Sequence, residues 1–312
     1  MTKCRAALVL TAGLGTRLRP LSRVRAKPAM PVAGEVIVRR IIRSLVAHQI
    51  SEIVLNLHHR PETIARAVGD GIDIGARVRY SWEQPNVLGT AGGIRQALPL
   101  VGGGPLLVLN GDTLTDVDLA SLADAHATSG ALVTMALVAE HDPARYGGVR
   151  LDDRGHVVGF SARGAAQPEY HFVGAQMVEA QVVESLAVGQ PAATVGGVYD
   201  VLIARQPGAI CGWTCKAAFW DVGTISDYWS TSWAFAAREG AADVLVGRGV
   251  KIADTARVSR SILWDDVDVS SDAFLEGCVV TDGVRVPPGA EYRDLIVMQA
   301  PDGTLEIAPR PQ

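Results

Sequence analysis

The strictest constraint on the fold is a repeat in the last quarter of the chain. Small residues and aliphatic residues each recur every 17 positions, at Ala256, Ala273 and Ala290 and at Ile262, Val279 and Ile296. The stretch consists of short β-branched runs without helical spacing. Because small residues suit tight corners and aliphatic residues suit the inside of a coil, residues 245–299 are predicted to form a parallel β-helix of three coils. Residues 300–312 are predicted to be a C-terminal tail.

At the other end of the chain, an apolar run at residues 8–10 breaks into a glycine-rich, basic loop that reaches Pro31. Gly13 and Gly15 allow the backbone to turn sharply and bring its amides close to an anion, and Thr16 adds a hydroxyl donor. Five cations lie within eleven residues of this loop: Arg17, Arg19, Arg23, Arg25 and Lys27. The composition predicts a phosphate-binding loop that repels itself unless an anion is present. The alternative is an ordinary turn with solvated arginines.

Two familiar phosphate motifs do not fit this loop. The dinucleotide-binding fingerprint requires a third glycine at the start of a helix, whereas Gly15 is followed by Thr16, Arg17 and Leu18. A P-loop requires four residues between its glycines and then Lys-Ser/Thr, and that arrangement is absent here.

Hydrophobic spacing along residues 35–238 predicts helices that alternate with strands, which is typical of a parallel α/β sheet. The prediction includes a strand at residues 52–57, a helix at residues 61–68, a helix at residues 94–98 and one strand at residues 210–219. Ligands of such sheets lie beyond the carboxyl ends of the strands. Asp112 follows the apolar strand at residues 105–109, which is an expected place for a metal ligand, although a helix cap is the alternative.

Residues 10–31 resemble the opening motif of the sugar-1-phosphate nucleotidylyltransferases. The resemblance continues in order at four further segments and covers residues 5–238: residues 88–92, 110–112, 146–147 and 220–224. It implies a Rossmann-like, mixed but mainly parallel α/β sheet with helices on both faces, within a catalytic domain of residues 1–240. The C-terminal repeat is similar to the left-handed β-helix tail of many of these enzymes.

The resemblance also implies roles for individual residues. The expected catalytic residues are Arg17, Lys27 and Asp112. The expected nucleotide-binding residues are Leu10, Ala12, Gly13, Gly15, Thr16, Arg17, Gln84, Gly89 and Thr90. The expected sugar-phosphate-binding residues are Lys27, Gly147, Arg163 and Gly174, and the expected Mg²⁺ ligands are Asp112 and Asp221.

One segment departs from the family pattern. Where family members commonly have Glu-Lys-Pro, this chain has Ser161-Ala162-Arg163-Gly164, so that Arg163 replaces the lysine charge and the glutamate is missing. The implied reaction is transfer of a nucleoside monophosphate from a nucleoside triphosphate to a sugar 1-phosphate. The layout resembles GDP-mannose pyrophosphorylases, which favours GTP and mannose 1-phosphate. Two alternatives stay open: a uridylyltransferase acting on N-acetylmuramic acid 1-phosphate or another hexose 1-phosphate, and a non-catalytic regulatory paralogue that binds a nucleotide sugar.

Composition limits the remaining functions. The net charge of −4 makes the basic loop a local feature, and this argues against a general nucleic-acid-binding surface. Apolar runs are too short for a membrane span or a signal peptide, so a cytoplasmic location is expected. The scattered cysteines predict reduced structural thiols: Cys4, Cys211, Cys215 and Cys278. The β-helix contains no histidine base, because the last histidine is His171, and we expect it to serve packing or homo-oligomerisation.

Overall fold

The structure is a computed structural model, and it describes residues 6–102, 104–139, 142, 144–165, 170–240 and 243–311. Two compact units form, and each is discontinuous in sequence. The first comprises the chain up to Gly13 together with Val38–Trp220, and the second comprises Leu14–Ile37 together with Asp221–Gln312. The basic loop therefore groups with the C-terminal repeat, whereas the predicted division near residue 240 remains a prediction.

The strands are, in chain order, β1 (Ala6–Leu10), β2 (Pro31–Val32), β3 (Glu35–Val36), β4 (Glu52–Leu57), β5 (Arg77–Trp82), β6 (Leu106–Asn110), β7 (Thr113–Thr115), β8 (Val133–Val138), β9 (Gly148–Leu151), β10 (Val157–Ser161), β11 (His171–Val178), β12 (Ile210–Thr214), β13 (Phe219–Asp221), β14 (Val244–Val246), β15 (Lys251–Ile252), β16 (Arg257–Ser259), β17 (Ser261–Leu263), β18 (Asp268–Val269), β19 (Phe274–Glu276), β20 (Val279–Val280), β21 (Arg285–Val286), β22 (Glu291–Arg293), β23 (Leu295–Gln299) and β24 (Leu305–Pro309). The α-helices are α1 (Ile37–Ala47), α2 (Pro61–Val68), α3 (Gly89–Val101), α4 (Leu119–Ser129), α5 (Gln181–Glu184), α6 (Tyr199–Arg205) and α7 (Ile225–Glu239). Single 3₁₀ turns occupy Thr16–Leu18, Leu21–Arg23, Lys27–Ala29 and Ile72–Ile74.

The first unit is built on a seven-stranded sheet in the order β12-β8-β11-β6-β1-β4-β5. Every pairing is parallel except those of β11, which runs antiparallel to both β6 and β8. Alternate residues of β1 serve opposite faces: Leu8 packs in a cluster with Ile94 of α3, while Ala7 and Val9 are equally buried. Burial of both faces explains why the strand sequence is continuously apolar. The predicted mixed, mainly parallel Rossmann-like sheet is confirmed.

The register of this sheet brings two loops together at its carboxyl edge. Leu10 of β1 lies opposite Asn110 of β6, and the amide of Gly111 donates to the carbonyl of Leu10 over 2.9 Å. The antiparallel β11 begins at the same edge, since a Cβ placed on Gly174 would lie 3.1 Å from the Cβ of Asn110. This edge is where a sheet of this kind binds its ligands.

Two predicted elements of the first unit have different bounds. The helix predicted at residues 94–98 begins earlier, at Gly89. Glycines in its first turns allow close packing, since a Cβ on Gly92 would lie 2.6 Å from the carbonyl oxygen of Gln190. The single strand predicted at residues 210–219 is two strands, β12 and β13. Between them the chain bends so that the Ala218 amide donates to Asp116 Oδ1 over 2.7 Å.

The second unit contains the predicted left-handed parallel β-helix. Three short parallel sheets form its sides: β14-β17-β20-β23, β15-β18-β21 and β16-β19-β22. Ile262 pairs with Val279 and Val279 pairs with Ile296, which confirms the 17-residue register. The coil interior is filled by stacked aliphatic and small residues: Val267, Val269, Ala273, Val284 and Val286.

The region predicted as a tail contains a strand. β24 pairs antiparallel with β23, from Leu295 opposite Pro309 to Gln299 opposite Leu305. Helix α7 is joined to the β-helix within the same unit, because the fully buried Trp264 donates its indole N–H to the Tyr228 hydroxyl over 2.9 Å. Among the helices of the described residues, none is long and apolar enough to cross a membrane.

Candidate active site

The turn after β1 is fixed by a polar side chain of the neighbouring strand. Thr11 is fully buried; its amide donates to Asn56 Oδ1 over 2.6 Å, and its hydroxyl donates to the Asn56 carbonyl. Ala12 follows, buried, and Gly13 is exposed, with open space where a Cβ would stand. The structure therefore places Leu10, Ala12 and Gly13 at the carboxyl edge of the sheet, where they were predicted to meet a nucleotide.

The basic loop, in the second unit, is shaped by Gly15. Its φ of +60° lies in the left-handed region, which side-chain-bearing residues rarely adopt, and a Cβ there would lie 3.3 Å from the Cβ of Ser22. The next two residues, Thr16 and Arg17, are exposed. The loop thus presents a hydroxyl and a guanidinium to solvent immediately after a forced turn.

Arg23 and Arg25 of the loop form hydrogen-bonded ion pairs with carboxylates of the C-terminal region. The Arg25 guanidinium donates to both oxygens of Asp282 over 2.6 Å and to Asp265 over 2.8 Å, and Arg23 pairs with Glu306. Burial alone lowers the pKa of Arg25, but hydrogen bonds and charge from Asp282 and Asp265 outweigh it and raise that pKa. The protein itself thus supplies part of the negative charge that this loop was predicted to need.

A third loop cation lies among predicted functional groups. Lys27 is only 8% exposed, and its Nζ lies 3.7 Å from Asp221 Oδ1. A Cβ built on Gly223 would lie 3.0 Å from Asp221 Oδ2 and 3.5 Å from a terminal nitrogen of Arg17. The second unit thus gathers Arg17, Lys27 and Asp221 near one glycine, whose missing side chain leaves room between them.

Asp112 belongs to the first unit and follows Gly111 at the carboxyl edge. A Cβ on Gly111 would lie 2.6 Å from the Leu10 carbonyl oxygen, so only glycine allows β6 to end this close to β1. The Thr113 hydroxyl donates to Asp112 Oδ1 over 3.3 Å. Asp112 is thus held one residue beyond the point where the two strands meet.

The segment before α3 contains residues that were predicted to bind the nucleoside. Gln84 is exposed. Gly89 has a φ of +69°, and a Cβ there would lie 2.8 Å from the Ala192 carbonyl oxygen. The Thr90 hydroxyl lies 2.9 Å from that of Thr194 and accepts from the Thr194 amide. Gly89 and Thr90 therefore have packing roles that sequence reasoning did not assign to them.

Except for Lys27, which belongs to the basic loop, the residues predicted to contact the sugar phosphate lie around one hairpin and in β11. Gly147 precedes β9, and Arg163 lies in an exposed turn after β10; these strands pair from Gly148 opposite Ser161. Next to Gly147, three rings form a cluster, with His171 4.5 Å from Tyr146 and 4.7 Å from Phe219 between centroids. No local pattern in the sequence indicates this aromatic cluster.

Sequence reasoning also missed Glu83, which precedes Gln84. It is fully buried, and its carboxylate accepts from the Asn56 side-chain amide and from the Leu88 backbone amide, each over 2.7 Å. A glutamate at the end of a strand is ordinarily interpreted as exposed, so only the fold reveals that it lies in the interior. Asn56 and Glu83 join the turn after β1 to the segment before α3.

The predicted metal ligands can be tested for fit against a divalent ion. Mg²⁺ usually takes one or two carboxylates and completes its shell with water and substrate phosphates, so a dedicated protein cage is not needed. Within the described ranges, no group of three or more His, Cys, Asp or Glu residues gathers as a metal cluster. Asp112 in one unit and Asp221 in the other offer hard oxygen donors of the type that Mg²⁺ prefers, and they fit the ion by chemistry.

The structure describes three of the four cysteines. Cys211, Cys215 and Cys278 are free thiols, and burial raises the pKa of each. Cys4 lies outside the described residues.

The sheet edge of the first unit carries a glycine turn and Asp112, and the second unit carries a basic loop with Asp221. Groups of these kinds are suited to binding phosphate-containing ligands. The chain belongs to the nucleotidyl transferase family, whose profile matches residues 6–238. The profile of the GlmU-like C-terminal hexapeptide family matches residues 235–302. The protein is thus a sugar-phosphate nucleotidyltransferase with a hexapeptide-repeat region, as the sequence predicted. Enzymes of this family generally use a divalent metal ion.

Individual relatives differ in their substrates. A mannose-1-phosphate guanylyltransferase of Mycobacterium tuberculosis is 30% identical over 93% of this chain and 79% of its own length. An N-acetylmuramate alpha-1-phosphate uridylyltransferase of Neisseria meningitidis is 46% identical, but over only 36% of this chain and 48% of its own length. A crystal structure of HddC from Yersinia pseudotuberculosis, in complex with GMP-PN, aligns with a TM-score of 0.65 at 23% identity over 74% of this chain and 99% of its own. This last similarity supports the fold alone.

Proposed function

We propose that the protein transfers a guanylyl group from GTP to mannose 1-phosphate, or to a closely related sugar 1-phosphate, and releases pyrophosphate. The observation that carries this proposal is the similarity to the Mycobacterium tuberculosis guanylyltransferase, which extends over 93% of the chain and so includes the β-helix. Two relatives favour a uridylyltransferase. A UTP–glucose-1-phosphate uridylyltransferase of Synechocystis sp. matches 90% of the chain but at a lower identity of 26%, and the Neisseria meningitidis enzyme is more similar in sequence but matches only 36% of the chain.

In the proposed reaction, a phosphate oxygen of the sugar 1-phosphate attacks the α-phosphorus of the triphosphate. A phosphorus–oxygen bond forms to the sugar phosphate, and the bond to pyrophosphate breaks. The attacking phosphate monoester has a second pKa of about 6, so at neutral pH it is largely ionised and needs no general base. The task of the protein is to bring two polyanions together and to stabilise the charge that develops on the reacting phosphates.

Each predicted residue then has a role. Arg17 and the amides around Gly13 and Gly15 neutralise the triphosphate, and Lys27 holds the α-phosphate or the incoming sugar phosphate. The pairing of Lys27 Nζ with Asp221 at 3.7 Å supports this, because it orients the buried side chain before substrate binds.

We propose that Asp112 and Asp221 hold Mg²⁺. When bound, the ion supplies charge neutralisation between reacting phosphates. On the nucleoside side, the side-chain amide of exposed Gln84 reads the base edge, and Gly89 and Thr90 shape the start of α3. On the sugar side, Gly147, Arg163 and Gly174 line the phosphate and sugar.

Pyrophosphate release from a panel of substrates tests the proposal. Four nucleoside triphosphates are each paired with mannose, glucose and N-acetylmuramic acid 1-phosphates, at fixed Mg²⁺. GTP with mannose 1-phosphate is expected to give the highest kcat/KM. The highest value for UTP with N-acetylmuramic acid 1-phosphate would overturn the guanylyl assignment and leave the uridylyltransferase alternative.

The β-helix is proposed to support self-association, and the enzyme is proposed to act in the cytoplasm. Light scattering coupled to gel filtration tests the first, with a mass above that of the 32.9 kDa chain expected. Cell fractionation tests the second.

A further inference from the structure

A carboxylate with no place in the mechanism above lies in the interior of the first unit. Glu83 is fully buried, and both donors to its side chain are neutral: Asn56 Nδ2 to Oε1 and the Leu88 amide to Oε2, each over 2.7 Å. Burying an ionised carboxylate is costly unless its hydrogen bonds are satisfied, so this arrangement must contribute something that a neutral side chain would not.

The hydrogen bonds converge on Glu83 from two sides. Asn56 accepts at Oδ1 from the Thr11 amide over 2.6 Å and donates from Nδ2 to Glu83. Both ends of this series are backbone N–H donors, of Thr11 and of Leu88, and each needs an acceptor. An asparagine side chain presents one acceptor atom and one donor atom, so the side chain at residue 83 must accept both from Asn56 and from the Leu88 amide, as the two oxygens of Glu83 do.

The carboxylate also closes the loop that follows it. By accepting from the Leu88 amide, Glu83 holds both ends of residues 84–87, which are largely exposed. Its own backbone is held as well: its amide donates to the Leu57 carbonyl over 2.9 Å, and its carbonyl lies 2.8 Å from His58 Nδ1. The loop that presents Gln84 is therefore anchored at both ends by one residue.

Helix α3 is adapted to this arrangement. A Cβ on Gly93 would lie 2.7 Å from Glu83 Oε1 and 2.9 Å from Asn56 Nδ2. Real Cβ atoms essentially never approach other heavy atoms this closely, so glycine is required for α3 to pack over the pair.

We propose that Glu83 and Asn56 are positioning residues which hold the nucleoside loop at residues 84–87 in register with the turn that follows β1. The inference rests on the proposed function, since it assumes that the two segments contact one nucleoside triphosphate. Glu83 and Asn56 are not proposed to contact substrate. They set the distance between the loop at residues 84–87, which contacts the base, and the turn after β1, which contacts the phosphates.

Reversing the direction of the hydrogen bond between residues 56 and 83 tests this proposal. Glu83→Gln places a donor against the Leu88 amide or against Asn56 Nδ2, and Asn56→Asp places two carboxylates face to face. In the double variant N56D/E83Q, the introduced carboxylate accepts from Thr11 and from the introduced side-chain amide. The carbonyl oxygen of that same amide accepts from Leu88, so every bond is restored. Glu62→Gln, at an exposed glutamate near the start of α2, is the matched control.

Each single variant is expected to raise the KM for the triphosphate roughly 10- to 100-fold, because buried polar groups are left unsatisfied, while the KM for the sugar 1-phosphate stays unchanged. The double variant is expected to return the triphosphate KM to within about threefold of wild type. Thermal melting is recorded for all variants, so that recovery of soluble, active protein by the double variant supports the proposal even if a single variant does not fold.

The proposal is overturned if the double variant is as impaired as the worse single variant, or if the single variants lower the melting temperature while leaving both KM values unchanged. Failure of the proposed function looks different. In that case wild type and Glu62→Gln release pyrophosphate fastest with a pair other than GTP and mannose 1-phosphate. Failure of this inference shows only in the variants at residues 56 and 83, whichever triphosphate the wild type uses.

Discussion

Lys27 is the residue whose surroundings depart most from those of an ordinary surface lysine. It is almost wholly buried, lies 3.7 Å from Asp221, and belongs to a loop in which Arg25 is already occupied by carboxylates. A lysine side chain normally loses conformational entropy when it binds a phosphate. Because Lys27 is already held in place, this loss on binding is small. Its contribution to catalysis should therefore be large.

Replacing Lys27 by methionine keeps the aliphatic length and removes the charge. We expect kcat/KM for pyrophosphate release to fall about 10²- to 10³-fold, the usual effect of losing one electrostatic contact to the transition state. Arg19→Gln, which removes an exposed cation of the same loop, should change the rate by less than about threefold. Wild-type turnover in the methionine variant would exclude Lys27 from the reaction.

Asp112 allows a test of the metal assignment. Asp112→Asn keeps the shape and removes the charge, so the expected result is a shift of the activating Mg²⁺ concentration to higher values and a loss of about 10²-fold or more in kcat. Chelation should abolish wild-type activity and added Mg²⁺ should restore it. Asp124→Asn, at an exposed position of α4, is the control. An unchanged Mg²⁺ titration in Asp112→Asn would rule out this carboxylate as a ligand.

At the scale of elements, the packing of α4 on the sheet includes a histidine. His126 is buried, its Nδ1 lies 2.9 Å from the Thr134 hydroxyl of β8, and its Nε2 lies 3.4 Å from Glu179. Burial lowers the pKa of His126 below its ordinary 6.5, and Glu179 offsets this only in part. The neutral ring is therefore the form that fits between helix and sheet.

This predicts a pH dependence of stability. Between the lowered pKa and 6.5 the unfolded chain binds more protons at this site than the folded chain does, so the free energy of unfolding should fall as pH drops through that interval. His126→Gln should flatten this part of the profile, measured by urea titration at several pH values. His48→Gln, just after α1, should leave it in place. An identical slope in wild type and His126→Gln would contradict the assignment.

Most elements of the first unit could be predicted from the sequence, because hydrophobic periodicity and apolar runs are visible within each segment. The strand at Glu52–Leu57 and the helix at Pro61–Val68 have the predicted bounds. The start of α3 was missed because its glycines disfavour helix, and the reason they are present, the approach of Ala192 and Gln190, lies about a hundred residues away in the chain. Glu83 was missed for the same reason, since its partner Asn56 is on another strand.

At the scale of the whole molecule, the N-terminal loop and the C-terminal repeat form one unit through ion pairs between residues far apart in sequence. Arg25 meets Asp282 across a separation of 257 residues, and Arg23 meets Glu306 across 283. No local pattern predicts such partners, which is why all the loop arginines were interpreted as phosphate-binding. The 17-residue repeat, by contrast, did predict which residues pair between neighbouring coils of the β-helix.

The two arginines differ in burial, and this separates their effects on stability. Arg25→Met leaves Asp265 and Asp282 without their shared partner; we expect a loss of about 1–3 kcal/mol, below the value for a fully buried pair because Asp282 is partly exposed. Arg23→Gln removes a pair that is about half exposed and should cost less than about 1 kcal/mol. Guanidinium denaturation measures both. Equal losses would show that burial of the Arg25 cluster does not matter.

Strand β24 limits where the β-helix could gain a further coil. Since β24 pairs antiparallel with β23, a duplicated coil added after residue 309 would meet a strand of opposite polarity on this side of the β-helix. A coil duplicated before β24 would meet strands of its own polarity, because Ile262, Val279 and Ile296 already repeat in step. The β-helix could therefore gain coils before β24, whereas β24 blocks parallel stacking on the side that it covers.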